Sequence, residues 1–593
     1  MSTKERKQQS LIEGALVLAL ASLIVKIIGA IYKVPMIAVI GTDGNGYYTY
    51  AYNIYLVIYA IAVSGFPTAI SKIVAEYRVQ GRYKDIARVK HVATVLMLGV
   101  GLAGSLILLL AAKPYAEWAL KIPLAYYAIL AVTPSILFSC LMATHRGFTQ
   151  GMANMTPTAV SQLLEVLVKV AAGLGGSYIV KKTLTEEFLK AGTILGKELA
   201  RGQKPDVIIQ SYSAAAAIFG VTLSVLVGYI YFVIRDRFRG VTFAPEMVAA
   251  SPSPDSDRII AKKILSIGIP IALSTVTVYV AGFIDGITVT DRLIRVFVHH
   301  SKELFDSFHG LLELAGKTLH DDPSEVANYL YGAYGLSTPL FNLIPSITGA
   351  FGISSMPHVA AAWRQGNLID VKRHSESVVR LTMIIAAPLG CGIFALCGPI
   401  TRFLYAGRNP VSAEIAYPMV GVLGLVAIIV AVSASINSLL QGIGRIDVPV
   451  KLLAFGAFSK VAFNFILVGV PSLNVKALPY SNLLCYAVIS TLAFYVFYTT
   501  TGIGLSYFDI LAKPLLAGAG CGVTAYLANV LLLMVLRGRT SVCMFLSIIA
   551  GAIAYIVLLG VLRAIKREDC LSLPGGTKIV RVLEMLRILQ KQS

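Results

Sequence analysis

Six ionisable residues stand inside long apolar stretches of this chain: Lys26, Lys33, Glu165, Lys169, Asp285 and Lys460. A charge at membrane depth costs at least about 2.5 to 3.5 kcal/mol, so each marks either a functional site or an internal pair. Lys26 and Lys33 are seven residues apart, which on an α-helix returns both to one face, about 10 Å from each other along the axis. Two ammonium groups cannot neutralise one another and need anions from elsewhere; the alternative is that Lys33 reaches the outer headgroups and leaves only Lys26 buried. Glu165 and Lys169 are one turn apart and can pair with each other. Asp285 is either a partner for Lys26 from the other half of the chain or a ligand for a coupling ion. Counted together, four cations face two carboxylates, an excess that favours an anionic substrate in a central cavity.

Elements that position such charges must be membrane helices. The chain is 56% hydrophobic and 14% charged, which excludes a water-soluble fold. Apolar runs long enough to cross a hydrocarbon core of about 30 Å recur along its length. They lie near 11 to 40, 47 to 70, 92 to 112, 123 to 143, 158 to 180, 212 to 234, 264 to 290, 328 to 356, 378 to 400, 414 to 437, 449 to 470, 481 to 500, 511 to 534 and 540 to 562. The expected fold class is therefore an all-α polytopic membrane protein with about fourteen spans. Lys4, Arg6 and Lys7 precede the first run as in a signal peptide, but that run is too long for a cleaved segment and is kept as a span.

Basic residues set the orientation. Lys72, Arg78, Arg82, Lys84, Arg88 and Lys90 fall in one loop, and Arg235, Arg237, Arg239, Arg258, Lys262 and Lys263 in another; with the tail from Arg563 to Lys591, they place both termini in the cytoplasm. Two outside loops, 181 to 211 and 291 to 327, carry amphipathic patterns such as Phe297, Leu304, Phe308, Leu311 and Leu312 and read as interfacial helices. The tail segment 578 to 591 either lies on the inner leaflet or is an ordinary solvated basic tail.

A repeat runs through the membrane region. Gln150-Gly151 is followed by Pro157 and Lys169, and Gln441-Gly442 by Pro449 and Lys460, with nineteen residues from Gln to Lys in both. This predicts two homologous six-helix lobes, the build of alternating-access transporters. The expected division is an N-terminal lobe at 1–234, a cytoplasmic linker at 235–263, a C-terminal lobe at 264–500, two further helices at 501–562 and a basic cytoplasmic tail at 563–593.

The formal charge of +20 points to anionic lipid headgroups and not to nucleic acid, because the cations gather in particular loops. Cys140, Cys391, Cys397, Cys485, Cys521, Cys543 and Cys570 lie mostly in apolar runs without a CxxC pair and read as packing residues. No P-loop, nucleophile elbow or paired-carboxylate motif stands in a loop, and the His299-His300 pair has no further metal ligands around it. The chain is thus read as a non-enzyme without metal or cofactor, driven by an H+ or Na+ gradient, the membrane potential or the substrate gradient.

The segment Arg146-Gly147-Phe148-Thr149-Gln150-Gly151-Met152-Ala153-Asn154-Met155-Thr156-Pro157, followed by Ser161, Gln162 and Glu165, resembles the fourth-to-fifth-span signature of the multidrug/oligosaccharidyl-lipid/polysaccharide exporter superfamily. Lys26 to Pro35 and Gly65-Phe66-Pro67 resemble its polysaccharide-transport branch, which contains stage V sporulation protein B and the lipid II flippases. The resemblance implies two lobes rocking about a cavity whose cations hold a pyrophosphate, with Lys26 where lipid II flippases carry their first span-one arginine. Their second aligns with Tyr32, one place before Lys33, and their span-two and span-eight arginines are replaced near Ala60 and Gly335. This leaves the headgroup open but not its anionic class. Spans thirteen and fourteen are implied to form a groove for a polyprenyl tail, with Leu516, Gly520 and Leu527 on the face expected to line it.

The resulting expectation is a flippase whose cargo is a polyprenyl-pyrophosphate-linked glycan, lipid II or a relative, in the cytoplasmic membrane of a bacterium. Its partners would be that substrate, membrane lipids and cell-wall synthesis proteins, with the protein itself a monomer. A cation-coupled multidrug exporter of the same fold is the alternative, and cavity charge discriminates the two, since cationic drugs call for exposed carboxylates.

Overall fold

A computed structural model describes residues 11–199, 203–239, 243, 245–445, 447–536 and 539–566. The basic tail segment 578 to 591 and Cys570 lie outside the described residues. The chain forms two compact units, Met1–Asp291 with Ala327–Gly332, and Arg292–Val326 with Ala333–Ser593.

The first unit begins with α1 (Leu11–Ala62), which is two helices joined at Gly41, where φ is +77°. Only glycine takes that conformation cheaply. The break frees backbone groups at membrane depth, and α1 does not leave them bare. Lys181 donates its Nζ to the Val39 carbonyl at 2.8 Å, and Gln210 Oε1 accepts from the Gly44 amide at 3.3 Å. After α2 (Phe66–Val79) come α3 (Tyr83–Pro114), α4 (Tyr126–Val132), α5 (Ser135–Gly151), α6 (Thr156–Ala191), α7 (Pro205–Arg239) and the short α8 (Pro245–Ala249). The most extensive packing in this unit is α6 along α7, with α1 against both. The next helix, α9 (Asp257–Asp306), is shared: the division between the units falls inside it, after Asp291.

The second unit continues with α10 (Leu311–Leu314), α11 (Pro323–Gly335), α12 (Thr338–Arg364), α13 (Leu368–Ala395), α14 (Cys397–Tyr405), α15 (Pro410–Gly442), α16 (Asp447–Leu467), α17 (Leu478–Thr501), α18 (Lys513–Val535) and α19 (Thr540–Val561). α15 is apolar on every side and packs against α12, α13 and α17, as an all-round hydrophobic helix must. The expected eighth span is broken between α11 and α12, and the Tyr405 hydroxyl donates to the freed Leu336 carbonyl at 2.9 Å.

Among the described residues, eleven helical stretches are long and apolar enough to cross a membrane. The first, Leu20–Val79, has 60 residues and contains both α1 and α2. At about 1.5 Å per residue it is far longer than one crossing needs and accounts for two expected spans. α9 and α12 stand at the expected seventh and eighth spans, so the polytopic all-α fold agrees with the hydropathy reading.

Both loops expected on the outside differ from the reading as interfacial helices. α6 runs on to Ala191, a hairpin pairs Thr193–Ile194 with Lys197–Glu198, and α7 starts at Pro205, so among the described residues 181 to 211 holds no separate helix. In the other loop Phe297, Leu304, Phe308 and Leu312 are buried, Leu304 and Leu312 completely; their periodicity records a protein core and not a membrane surface.

The two Gln-Gly segments of the expected repeat end their helices in the same turn, a helix end this chain also uses at Gln80–Arg82 and Gln365–Asn367. In the first unit the Met152, Ala153 and Asn154 amides donate to the Phe148, Gln150 and Thr149 carbonyls; in the second, Ile443, Gly444 and Arg445 donate to Leu439, Gln441 and Leu440, with all six distances between 2.9 and 3.0 Å. Each turn places its third residue after Gln in the left-handed region, Ala153 at φ +56° and Gly444 at +89°.

A network of charges fastens the segment after α8 to the α2–α3 turn. Asp255 accepts from the Tyr77 hydroxyl at 2.6 Å, Arg82 Nη2 at 2.5 Å and Lys263 Nζ at 3.0 Å, while its amide donates to Asp85 Oδ1 at 2.7 Å. Lys84 Nζ donates to the Ser251 carbonyl at 3.0 Å. The Tyr77 hydrogen bond above all, then those from Arg82 and Lys263, holds the Asp255 carboxyl well below the usual carboxylate range. A carboxyl depressed on folding stabilises the fold above its unfolded pKa of about 4, and that contribution is lost as pH falls below this value. Asp255→Asn is therefore expected to raise protease cleavage between 240 and 257 in open membranes about tenfold at neutral pH. Acidification should do the same to the wild type; equal cleavage of both forms at neutral pH would count against the clamp.

Candidate functional site

Along the first half of α1, Ser22, Lys26, Gly29 and Lys33 share a stripe. Ser22 Oγ donates to Gln162 Oε1 of α6 at 3.1 Å and fixes the rotation of α1 against that helix. A Cβ on Gly29 would meet nothing within 4 Å, so the stripe borders open space. Lys26 is exposed and makes no hydrogen bond or ion pair with any described residue. Lys33 is half-buried and close enough to Lys169 for the two to repel.

Lys169 comes from α6. Its ammonium lies 5.9 Å from the Tyr32 ring centre and 5.4 Å from that of Tyr52, both faces of negative potential. It does not pair with Glu165, as the one-turn spacing allowed. Glu165 is instead held by Arg146 of α5, whose Nε and Nη2 also donate to Ser161 Oγ at 3.1 and 2.9 Å. A bidentate-capable guanidinium on a neighbouring helix outcompetes an ammonium on the same one. The pairing of Lys26 with Asp285 is likewise not made: Asp285 is buried in α9 and Lys26 has no described partner. Beside Asp285, Asn53 Nδ2 donates to the Gly282 carbonyl at 3.0 Å, and the Tyr50 and Thr290 hydroxyls are 2.7 Å apart. Lys460 is buried in α16 of the second unit and is itself engaged. The structure thus gathers Lys26, Lys33, Glu165 and Lys169 on α1 and α6 of the first unit, leaves Asp285 in that unit's interior and carries Lys460 in the other.

Arg146 is the residue the hydropathy reading overlooked. It stood in the quoted signature, near the end of α5, where an antiparallel hairpin brings it opposite the start of α6. The same signature sets the approach of α2: a Cβ on Gly147 would fall 2.7 Å from the Pro67 carbonyl, and one on Gly151 2.7 Å from that of Ser71. His145, next to Arg146, bonds Asp236 at 2.8 Å, and Asp236 also takes Lys90 at 2.7 Å.

In the second unit an apolar cleft of about 430 Å³ lies between α13, α18 and α19, lined by Pro388, Gly392, Leu396, Cys521, Ala525 and Tyr555 among others. This is not the face expected of span thirteen. Leu516 and Leu527 point outward, more than half exposed, and Gly520 packs on Leu558 of α19.

The family model described as polysaccharide biosynthesis protein matches residues 11–191, and the one described as MatE matches residues 330–466. The chain is 24% identical over 462 residues to the lipid II flippase MurJ of Bacillus subtilis (strain 168), covering 77% of this chain and 76% of that one. It is 21% identical to stage V sporulation protein B of the same organism, covering 79% and 80%. Among solved structures, an inward closed lipid II flippase MurJ matches with a TM-score of 0.59 at 12% identity, over 92% of this chain and 98% of that one. An inward-facing multidrug resistance MATE family transporter matches at 0.55 and 13%, over 82% and 99%. By these likenesses the chain is similar in sequence and fold to members of the multidrug/oligosaccharidyl-lipid/polysaccharide exporter superfamily, and it has the all-helical fold of a multi-pass membrane protein.

Proposed function

We propose that this protein is a flippase that carries a polyprenyl-pyrophosphate-linked glycan, lipid II or a relative, across the cytoplasmic membrane by alternating access, without enzymatic chemistry. The observation that carries this reading is the basic face of the first unit: Lys26 and Lys169 have no carboxylate partner among the described residues, while the adjacent Glu165 is already neutralised by Arg146. Such a face attracts a pyrophosphate and repels a cationic drug, which argues against the multidrug alternative. The similarity to a lipid II flippase supports the same class of cargo. Complementation tests it: the gene should restore growth to a bacterium depleted of its lipid II flippase, with the precursor becoming accessible on the outer face. A protein that reaches the membrane, leaves the precursor inside and exports ethidium would establish the multidrug reading instead.

Both termini are assigned to the cytoplasm on the strength of the basic loops. A cysteine at position 84 should be labelled only after the membrane is opened; labelling from outside intact cells would invert the topology.

The apolar cleft of the second unit is assigned to the lipid tail. A polyprenyl chain gains little by leaving lipid for an apolar groove, so the cleft acts by steering the chain. Gly392 lines it, and a Cβ there meets nothing within 4 Å. Gly392→Leu should therefore fold at least as well as the wild type, because glycine inside a helix costs about 1 kcal/mol. It should nevertheless slow transport of the lipid-linked form about tenfold by narrowing the cleft, with headgroup binding unchanged. Normal transport by this variant would free the cleft of that role.

A further inference from the structure

The second half of α1 carries tyrosines at positions 48, 52, 55 and 59, a spacing that keeps them on one helical face. Their rings form a continuous ladder: centroids are 5.8 Å apart from Tyr48 to Tyr52, 5.9 Å from Tyr52 to Tyr55 and 5.7 Å from Tyr55 to Tyr59. The ladder rises about 16 Å along the axis, half the thickness of the hydrocarbon core. Tyrosine in membrane proteins ordinarily gathers at the water interface, where its hydroxyl is hydrated. A ladder that runs into the span must find other partners for its phenols, and Tyr52 and Tyr59 have none among the described residues while remaining half-buried.

Lys169 stands at the head of this ladder, 5.4 Å from the Tyr52 ring. An ammonium group beside a run of phenols is what a pyrophosphate followed by sugars would require. The cation meets the phosphoryl oxygens, the ring faces meet the C–H faces of pyranoses, and the phenols exchange hydrogen bonds with sugar hydroxyls. The step between rings is close to the length of one pyranose residue.

We propose that the half-buried Tyr52 and Tyr59, bridged by the buried Tyr55 ring, form the sugar subsite of this transporter, continuing from the cationic subsite at Lys169. The assignment rests on the flippase reading above and adds to it the place where the glycan lies. The test uses the full chain in nanodiscs and two probes, farnesyl pyrophosphate and the same lipid carrying a pyrophosphate-linked N-acetylated disaccharide. The readout is the ratio of their affinities, which a merely structural role for the tyrosines would leave alone. In the wild type the disaccharide should tighten binding about tenfold or more, and Tyr59→Ala should bring that ratio close to one. Tyr52→Phe and Tyr59→Phe, which preserve the packing, should each lose about threefold through the hydroxyl alone and so decide the matter if the alanine variant does not fold. A wild type that binds farnesyl pyrophosphate but gains nothing from the sugars overturns the subsite alone, as does a ratio unchanged in the phenylalanine variants. A wild type that binds neither probe overturns the flippase reading and the subsite with it.

Discussion

Lys26→Ala is expected to lower transport of the lipid-linked substrate by about a hundredfold or more while the protein folds and reaches the membrane normally. The size follows from losing a charge-assisted contact to phosphate, worth about 1.5 to 3 kcal/mol in binding and more where water is excluded. Normal folding follows from the exposure of Lys26 and its lack of described partners, since its removal strands no other group. Lys26→Arg keeps the charge and should retain most activity. The measurement is precursor accessibility on the outer face at matched expression. Wild-type rates in the alanine variant would remove Lys26 from the site.

The second large effect is expected at Arg146, which contacts no substrate in this reading. In Arg146→Ala the Glu165 carboxylate loses its guanidinium, and the nearest cation is Lys169, one turn further along α6. Lys169 would swing from its aromatic neighbours to pair with Glu165, so that a single substitution removes one charge and cancels a second. Transport should fall by tenfold to a hundredfold, on the order of 1.4 to 2.8 kcal/mol. Stability should also drop, because Ser161 loses both hydrogen bonds from Arg146 and Glu165 loses its guanidinium partner. The double variant Arg146→Ala/Glu165→Gln releases Lys169 again and should recover most of the transport. If the double variant is as slow as the single one, Arg146 acts by some route other than the charge of Glu165.

How much of this was legible in the sequence differs between elements for physical reasons. Span positions were legible because insertion in a bilayer depends on summed hydropathy, which a linear scan captures. The Lys26 and Lys33 stripe was legible because helix periodicity is local. The Glu165 partner was not, because it lies across a hairpin, and the nearer Lys169 satisfied the spacing equally well. The lining face of span thirteen was misread for a different reason. α18 is apolar all round, so no amphipathic signal separates Cys521 and Ala525, which line the cleft, from Leu516 and Leu527, which do not. In the loop from 291 to 327 the periodicity of Phe297, Leu304 and Phe308 was real, but a helix buried in protein and one resting on a membrane show the same pattern.

The turn that recurs at Gln150 and Gln441 has been filled differently in the two copies. The hydrogen bonds are the same, yet the left-handed position is Ala153 in one and Gly444 in the other. For an L-residue other than glycine, that conformation costs about 1 to 2 kcal/mol. The two turns are thus unequal in tolerance. The first holds a methyl group under tension, whereas the second can accept no side chain at the matching position without taking on the same penalty. A glycine exchanged into position 153 would relax the one, and an alanine at 444 would burden the other, so the pair measures how much strain one backbone path can carry.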